Sequence, residues 1–237
     1  MSHWSRIEMK GEKVKTVKQA LISTEIVGLA DMQMDHYFGA AQDPNNLDDK
    51  MYLDESGGLC MPAENILHMF YGTFYASAIN LVEKKMEWKK AAWEAKALMF
   101  IEPNMVPILR DGEQIIHKGW KKTKSGRLHD PEAGIWLDDS LPRVKGGVVA
   151  GDQGKLRPTL KKPWAMRFNI RVIEEEGSPV TVERIEKWLE TGGMKIGIGT
   201  HRPVYGRFEV VKFDVSYDGE EKIVKKSSAK IIRKKKK

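Results

Sequence analysis

TGGMKIGIGTHRPVYGRFEVVKFDVSY, Thr191–Tyr217, begins where an amphipathic helix ends and finishes in an alternating strand. Gly197, Gly199 and Gly206 bracket a segment carrying Thr200, His201, Arg202 and Tyr205. Glycine allows positive φ and lets a ligand approach the main chain closely. Exposed amides in such a loop make a concavity suited to phosphate oxygens. Arg202 and Arg207 add guanidinium groups that can fork onto phosphate. An ordinary glycine-rich turn feeding a strand is the other reading of this spacing.

Upstream, Val180–Glu190 sets Val182, Ile185, Trp188 and Leu189 on one helical face, and Gly192-Gly193 reads as its cap. Before it, Trp164–Ile173 alternates. Ala165, Arg167, Asn169 and Arg171 fall on one face, and Met166, Phe168, Ile170 and Val172 on the other. That pattern predicts a half-buried strand with a basic exposed face. Arg207–Tyr217 reads as the last long strand and Val17–Leu29 as the first. These three strands are expected to share one antiparallel sheet around two amphipathic helices.

Asp31–Asp49 reads as a long loop, Lys50–Asp54 as a short strand, Glu55–Gly58 as a tight turn and Leu59–Met61 as the returning strand. Pro62 starts a helix whose apolar face runs to about Val82. Its charged continuation, Glu83–Lys96, carries Trp88 and Trp93 among lysines and is read as a solvated face with two packing tryptophans in preference to a binding stripe. Leu98–Ile101 and Val106–Leu109 are strand-like, and Asp111-Gly112 signals a turn. His117–Leu160 is glycine-rich and poorly periodic, and is read as one or two hairpins projecting from the body. Lys118, Lys121, Lys122, Lys124 and Arg127 surround Trp120, and Lys155, Arg157, Lys161 and Lys162 precede Trp164. Basic groups interleaved with an aromatic suit single-stranded nucleic acid. A solvated loop anchored to the body by its tryptophan is equally compatible.

The 237 residues carry a formal charge of +7, and 41% are hydrophobic, enough for a core. The basic balance favours a polyanionic partner. A single cysteine, Cys60, rules out an intramolecular disulfide framework. No apolar run approaches the roughly 20 residues that span a bilayer, and the polar N-terminus lacks a signal-peptide core. A soluble cytoplasmic protein is expected.

Two segments resemble a known family. NNLDDKMYLDESGGLCMPAENILHMF, Asn45–Phe70, is similar to the hairpin-then-helix segment of the RAMP superfamily of CRISPR systems. GIGTHRPVYGRFEV, Gly197–Val210, is similar to the glycine-rich loop and strand near the C-terminus of the subunits that form the backbone of CRISPR effector complexes. The helix opens Pro-Ala-Glu-Asn where the family has a glycine- or serine-rich start, so Ala63 and Asn65 are not carried over as RNA contacts. The chain lacks an obvious repeat-processing signature, and a stand-alone relative, for instance from a phage, fits the same resemblance.

The resemblance implies an α+β fold with a ferredoxin-like or RRM-like antiparallel sheet, two packed helices and an extended hairpin thumb. The thumb would occupy about 110–162 of a single domain 1–222, followed by a basic mobile tail, 223–237. Family members bind single-stranded RNA or DNA and assemble as repeated subunits, as a homo-oligomer or a multi-subunit ribonucleoprotein of antiviral defence. Gly197, Gly199, Thr200, His201, Arg202, Tyr205 and Arg207 would hold the strand at the loop. Arg167 and Arg171 would line the sheet, with Lys121, Lys122, Lys161 and Lys162 on the thumb. A non-catalytic binder needing no metal or cofactor is the first expectation. The alternative is an endoribonuclease, either using Mg²⁺ at Asp48 and Asp49 or using His36 or His201 as general acid or base.

Overall fold

The computed structural model describes residues 14–36, 46–72, 77–84, 87–138 and 157–224, with side chains within 18–217. Alternation builds the three principal strands, β1 (Val14–Gly28), β11 (Ala165–Glu175) and β12 (Phe208–Val224). The three share one antiparallel sheet, as expected, with β1 between the other two. Between β1 and β11 along the chain come β2 (Met32–Gln33), β3 (Cys60–Pro62), α1 (Ala63–Tyr71), α2 (Ala78–Val82), α3 (Trp88–Leu98), β4 (Met99–Glu102) and β5 (Met105–Arg110). They are followed by β6 (Glu113–Gln114), β7 (Lys121–Lys122), β8 (Leu128–Asp130), β9 (Ile135–Asp138) and β10 (Arg157–Leu160). α4 (Val182–Lys195) joins β11 to β12. The main sheet runs β12-β1-β11-β5-β3, with β4 also on β11 and β6 on β5.

One face of this sheet is apolar. Ile22, Ile26, Met166, Ile170, Val172 and Val106 are fully buried beneath Ile66, Met69 and Phe70 of α1, Ile79 of α2 and Ile185, Trp188 and Leu189 of α4. Removing such side chains from water is the main stabilising term, worth roughly 1.5–3 kcal/mol each. α4 begins at Thr181, whose side chain accepts from the Arg184 amide, while the Glu174 carboxylate accepts from the Val182 amide. The helix does not stop at Gly192-Gly193. It runs on to Lys195, and these glycines lie where Met69 and Phe208 press closest; a Cβ at Gly192 would come within 2.6 Å of the Met69 sulfur.

The continuous helix expected from Pro62 to Val82 is broken. α1 ends before Gly72, whose amide donates to the His68 carbonyl, and α2 restarts with Ser77 accepting from the Asn80 amide. Residues 73–76 lie outside the described residues. The short strand expected at Lys50–Asp54 is instead a turn of 3-10 helix, Asp48–Lys50, followed by a single bridge from Leu53 to Leu59.

The expected projecting thumb takes a different form where it is described. β2-β10-β9-β8-β7 make a second, five-stranded sheet. Its Met32, Ala133, Ile135 and Leu160 join the main core. The pairing that seats it, Thr159 with Gln33, spans most of the chain. Arg110 rivets the two sheets together. Its guanidinium donates to the carbonyls of Ala133, Lys161 and Pro163 at 2.9–3.0 Å. The remainder of the expected thumb, 139–156, and the tail from 225 lie outside the described residues. Among the described residues no helix is long and apolar enough to cross a membrane.

Candidate nucleic-acid groove

The glycine loop folds back on itself. Gly197, Gly199 and Gly206 all have φ of 73–80°. Gly206 is the most constrained, because a Cβ there would sit 1.8 Å from the Ile198 carbonyl oxygen. The amides of Gly197, Ile198, Gly199, Thr200 and Gly206 face inward, contrary to the expected phosphate cradle. Ile198 donates to Gly206, Gly206 to Asp31, Gly197 to Gly192 and Thr200 to Gln33, while Gly199 donates to the Asn65 side chain at 2.9 Å. These main-chain groups are spent on holding the loop against β2 and α1. Tyr205 is an anchor as well. Its hydroxyl donates to Asp138 at 2.8 Å, and burial, then that hydrogen bond and the Asp138 charge, push its pKa up to about 12. Gln33 donates to the same Asp138 oxygen at 3.0 Å, so the loop is locked to β2 and β9 together.

Beside this locked loop, at the end of α4, lies a groove of about 510 Å³ lined by Lys195, Gly199, Thr200, His201, Arg202 and Pro203. No acidic side chain is among its described lining residues. Arg202 donates to the Gly197 carbonyl at 3.4 Å. His201, with φ 57°, is exposed and lies against the Tyr205 ring, 6.0 Å between centres. Arg207 follows Gly206 at the mouth of β12; its side chain is exposed and its carbonyl accepts from the Leu29 and Ala30 amides. Of the residues expected at the loop, Gly199, Thr200, His201 and Arg202 line this groove together with Lys195, whereas Gly197, Tyr205 and Arg207 are not among its described lining residues.

The other expected contacts are elsewhere. Arg167 and Arg171 stand on the open sheet face, each already matched by a carboxylate. Arg167 pairs with Glu25 at 3.1 Å, directly across the β1–β11 register, and Arg171 forks onto both oxygens of Glu102 at 3.1 and 3.3 Å. Lys121 and Lys122 lie on β7, at the opposite edge of the second sheet from β2, and Lys121 pairs with Glu132 at 2.9 Å. Lys161 sits 5.8 Å from the Trp136 ring centre, and the Lys162 amide donates to Asp31. Trp164 is 1% exposed and donates to the Ala30 carbonyl, so it cannot stack a base. Trp120 is half-buried and donates to Asp48 at 2.7 Å.

Asp48 belongs to a chain of groups that sequence reasoning missed. His117 lies between two carboxylates, its Nδ1 2.8 Å from Asp130 and its Nε2 3.3 Å from Asp48. Neither contact is aligned as a hydrogen bond. Asp130 is fully buried. Burial opposes its ionisation, but amides of Lys118, Ala133 and Glu132 and the neighbouring His117 hold its pKa below the usual carboxylate value. The Asp130-Pro131 turn, with an aspartate accepting from amides two and three residues on, was the available sequence signal. Asp49 lies close enough to His36 to act on its charge, yet burial is the stronger influence and lowers the His36 pKa; the His36 ring lies against Tyr52. Among the described residues no three His, Cys, Asp or Glu side chains converge as a metal site.

No known family model matches the chain, and no curated protein matches it in sequence.

Proposed function

We propose that the protein binds single-stranded nucleic acid in the groove between α4 and the glycine loop, and assembles as repeated subunits along the strand. The observation that carries this reading is the groove itself. Lys195 and Arg202 line it beside His201 and the Thr200 hydroxyl, with no described acidic lining residue to repel a phosphate. Such contacts set affinity with little sequence preference. The succession β1, helices, β4 and β5, β11, α4, β12, in the order β12-β1-β11-β5, supports a ferredoxin-like core. That core is the fold implied by the resemblance to backbone subunits of CRISPR effector complexes, which in turn makes RNA the preferred strand. Fluorescence anisotropy with unrelated single strands at two salt concentrations tests binding. Size-exclusion chromatography with and without a long strand tests assembly. Affinity indifferent to salt, or an unchanged elution volume, would overturn the respective part.

Strand cleavage is a second reading, favoured by the Asp48–His117–Asp130 chain. A histidine within 3.3 Å of one carboxylate and 2.8 Å of another is a candidate general acid or base, once substrate binding aligns those contacts as hydrogen bonds. Asp48 is half exposed and gives the chain an outlet to solvent. Incubation with end-labelled RNA, with and without EDTA, followed by the same assay on Asp48→Asn and His117→Gln, tests it; intact RNA after long incubation removes it.

A further inference from the structure

α3 holds a feature that neither the groove nor the core uses. Trp88 is half-buried, in keeping with a packing role, but Trp93 is 77% exposed. A tryptophan left in water contributes little to folding, because its stabilising value lies in the area it buries. It lines a second depression of about 270 Å³, formed where α1 ends, α2 begins and α3 passes over both. Tyr71, Trp88 and Trp93 form its apolar wall, Asn80 adds a polar group, and Lys89 and Lys96 bring ammonium groups. The Lys89 ammonium lies 5.8 Å from the Trp88 ring centre and that of Lys96 5.1 Å from the Tyr71 ring.

We propose that this pocket takes one nucleotide of a single strand, with its base on the Trp93 ring and its phosphate between Lys89 and Lys96. The inference rests on the strand-binding reading above and adds to it a second contact point on the helical side. An open aromatic ring flanked by cations is what single-strand binding uses, since every base has a π-face and every nucleotide a phosphate. An acidic peptide would also satisfy the lysines. However, Ala92 is the one aliphatic residue of the described lining, and a wall of rings selects a planar guest. The two sites also share α1. The groove's Gly199 is bonded to Asn65 near its start, and Tyr71 closes its end. Six residues of α1, a rise of roughly 9 Å at 1.5 Å per residue, separate Asn65 from Tyr71.

The test is anisotropy of a labelled single-stranded decamer with the full chain and four variants. Trp93→Ala is expected to weaken binding between about fivefold and about 140-fold, the range for losing one stacked base. Trp93→Phe restores most of it, and the thermal midpoint is unchanged in both because the ring is exposed. Lys89→Ala with Lys96→Ala lowers the salt slope by about 0.7 for each phosphate that is no longer neutralised. Unchanged affinity in Trp93→Ala, while Lys195→Ala with Arg202→Ala weakens binding, removes the pocket and leaves the groove. No strand binding by the unaltered protein removes the proposed function and the pocket with it. Displacement of the decamer by an acidic, tyrosine-containing peptide only in the protein that retains Trp93 assigns the pocket to a peptide, as a fall in oligomeric mass on Trp93→Ala assigns it to a second copy; either overturns the proposal.

Discussion

The open sheet face and the glycine-loop groove both display cations, and they differ in what stands beside those cations. On the sheet, Arg167 faces Glu25, Arg171 faces Glu102 and Lys212 faces Asp214 at 3.2 Å. In the groove, Lys195 and His201 share a wall with Thr200, Pro203 and glycine. Exposed ion pairs add little to stability, but they cancel the field that an approaching phosphate would feel. A basic strand face in a sequence is thus not a basic surface in the protein. The comparison also inverts the usual view of glycine loops. Here the glycines bring the main chain close to its own protein, and the ligand side is left to side chains.

The comparison breaks most readily at Gly206. Gly206→Ala places a methyl group against the Ile198 carbonyl in a left-handed backbone position. It is expected to cost about 2–4 kcal/mol of stability, read by chemical denaturation, and to abolish strand binding with it. An alanine there that leaves both unchanged would mean that the loop is not locked as described.

A smaller and more selective effect is expected from charge removal. Lys195→Ala and Arg202→Ala should each lower the salt slope of single-strand binding by about 0.7. Arg167→Ala and Arg171→Ala should leave that slope where it is. The reverse pattern in titrations at several salt concentrations would move the binding surface to the sheet.

Removing the acids sharpens the contrast further. Glu25→Gln and Glu102→Gln release Arg167 and Arg171 without altering the fold, because both pairs are at the surface. The expected outcome is a modestly tighter complex with a steeper salt slope, in the same titrations. If nothing changes, the sheet face is excluded from strand binding for reasons other than its charge balance.

The smallest effect is a titration. The hydrogen bond from Arg171, and then its charge, lower the Glu102 pKa below the ordinary 4.5. A depressed carboxylate value means that the pair is complete above 4.5 and is lost as pH falls through the lower folded value. Carbon-13 NMR should therefore find Glu102 titrating below other exposed glutamates, and Arg171→Ala should raise it to their range. An unmoved midpoint would show that the fork is not populated in solution.

The sequence alone determined the elements whose pattern is local. Period-2 alternation marked β1, β11 and β12 and put them in one antiparallel sheet; the 3.6-residue period marked α4; Asp111-Gly112 marked the β5–β6 turn, where both residues have positive φ. The clustering of Thr200, His201 and Arg202 was legible because those residues are neighbours in the chain. Tertiary structure decided everything that depends on a distant partner. Period 2 tells which face Arg167 is on, but the register that sets Glu25 opposite it comes from another strand, 142 residues away. Seven tryptophans look alike in the sequence, yet Trp164 is sealed in the core and Trp93 stands in water, because burial depends on what packs above a position. The region read as a projecting arm has little periodicity of its own. Its described strands are ordered by Gln33, by Arg110 and by burial of Ile135 and Leu160 in a core built from the rest of the chain. Non-local pairings of this kind leave no local trace, because the free energy that forms them belongs to the assembled contact and to neither segment alone.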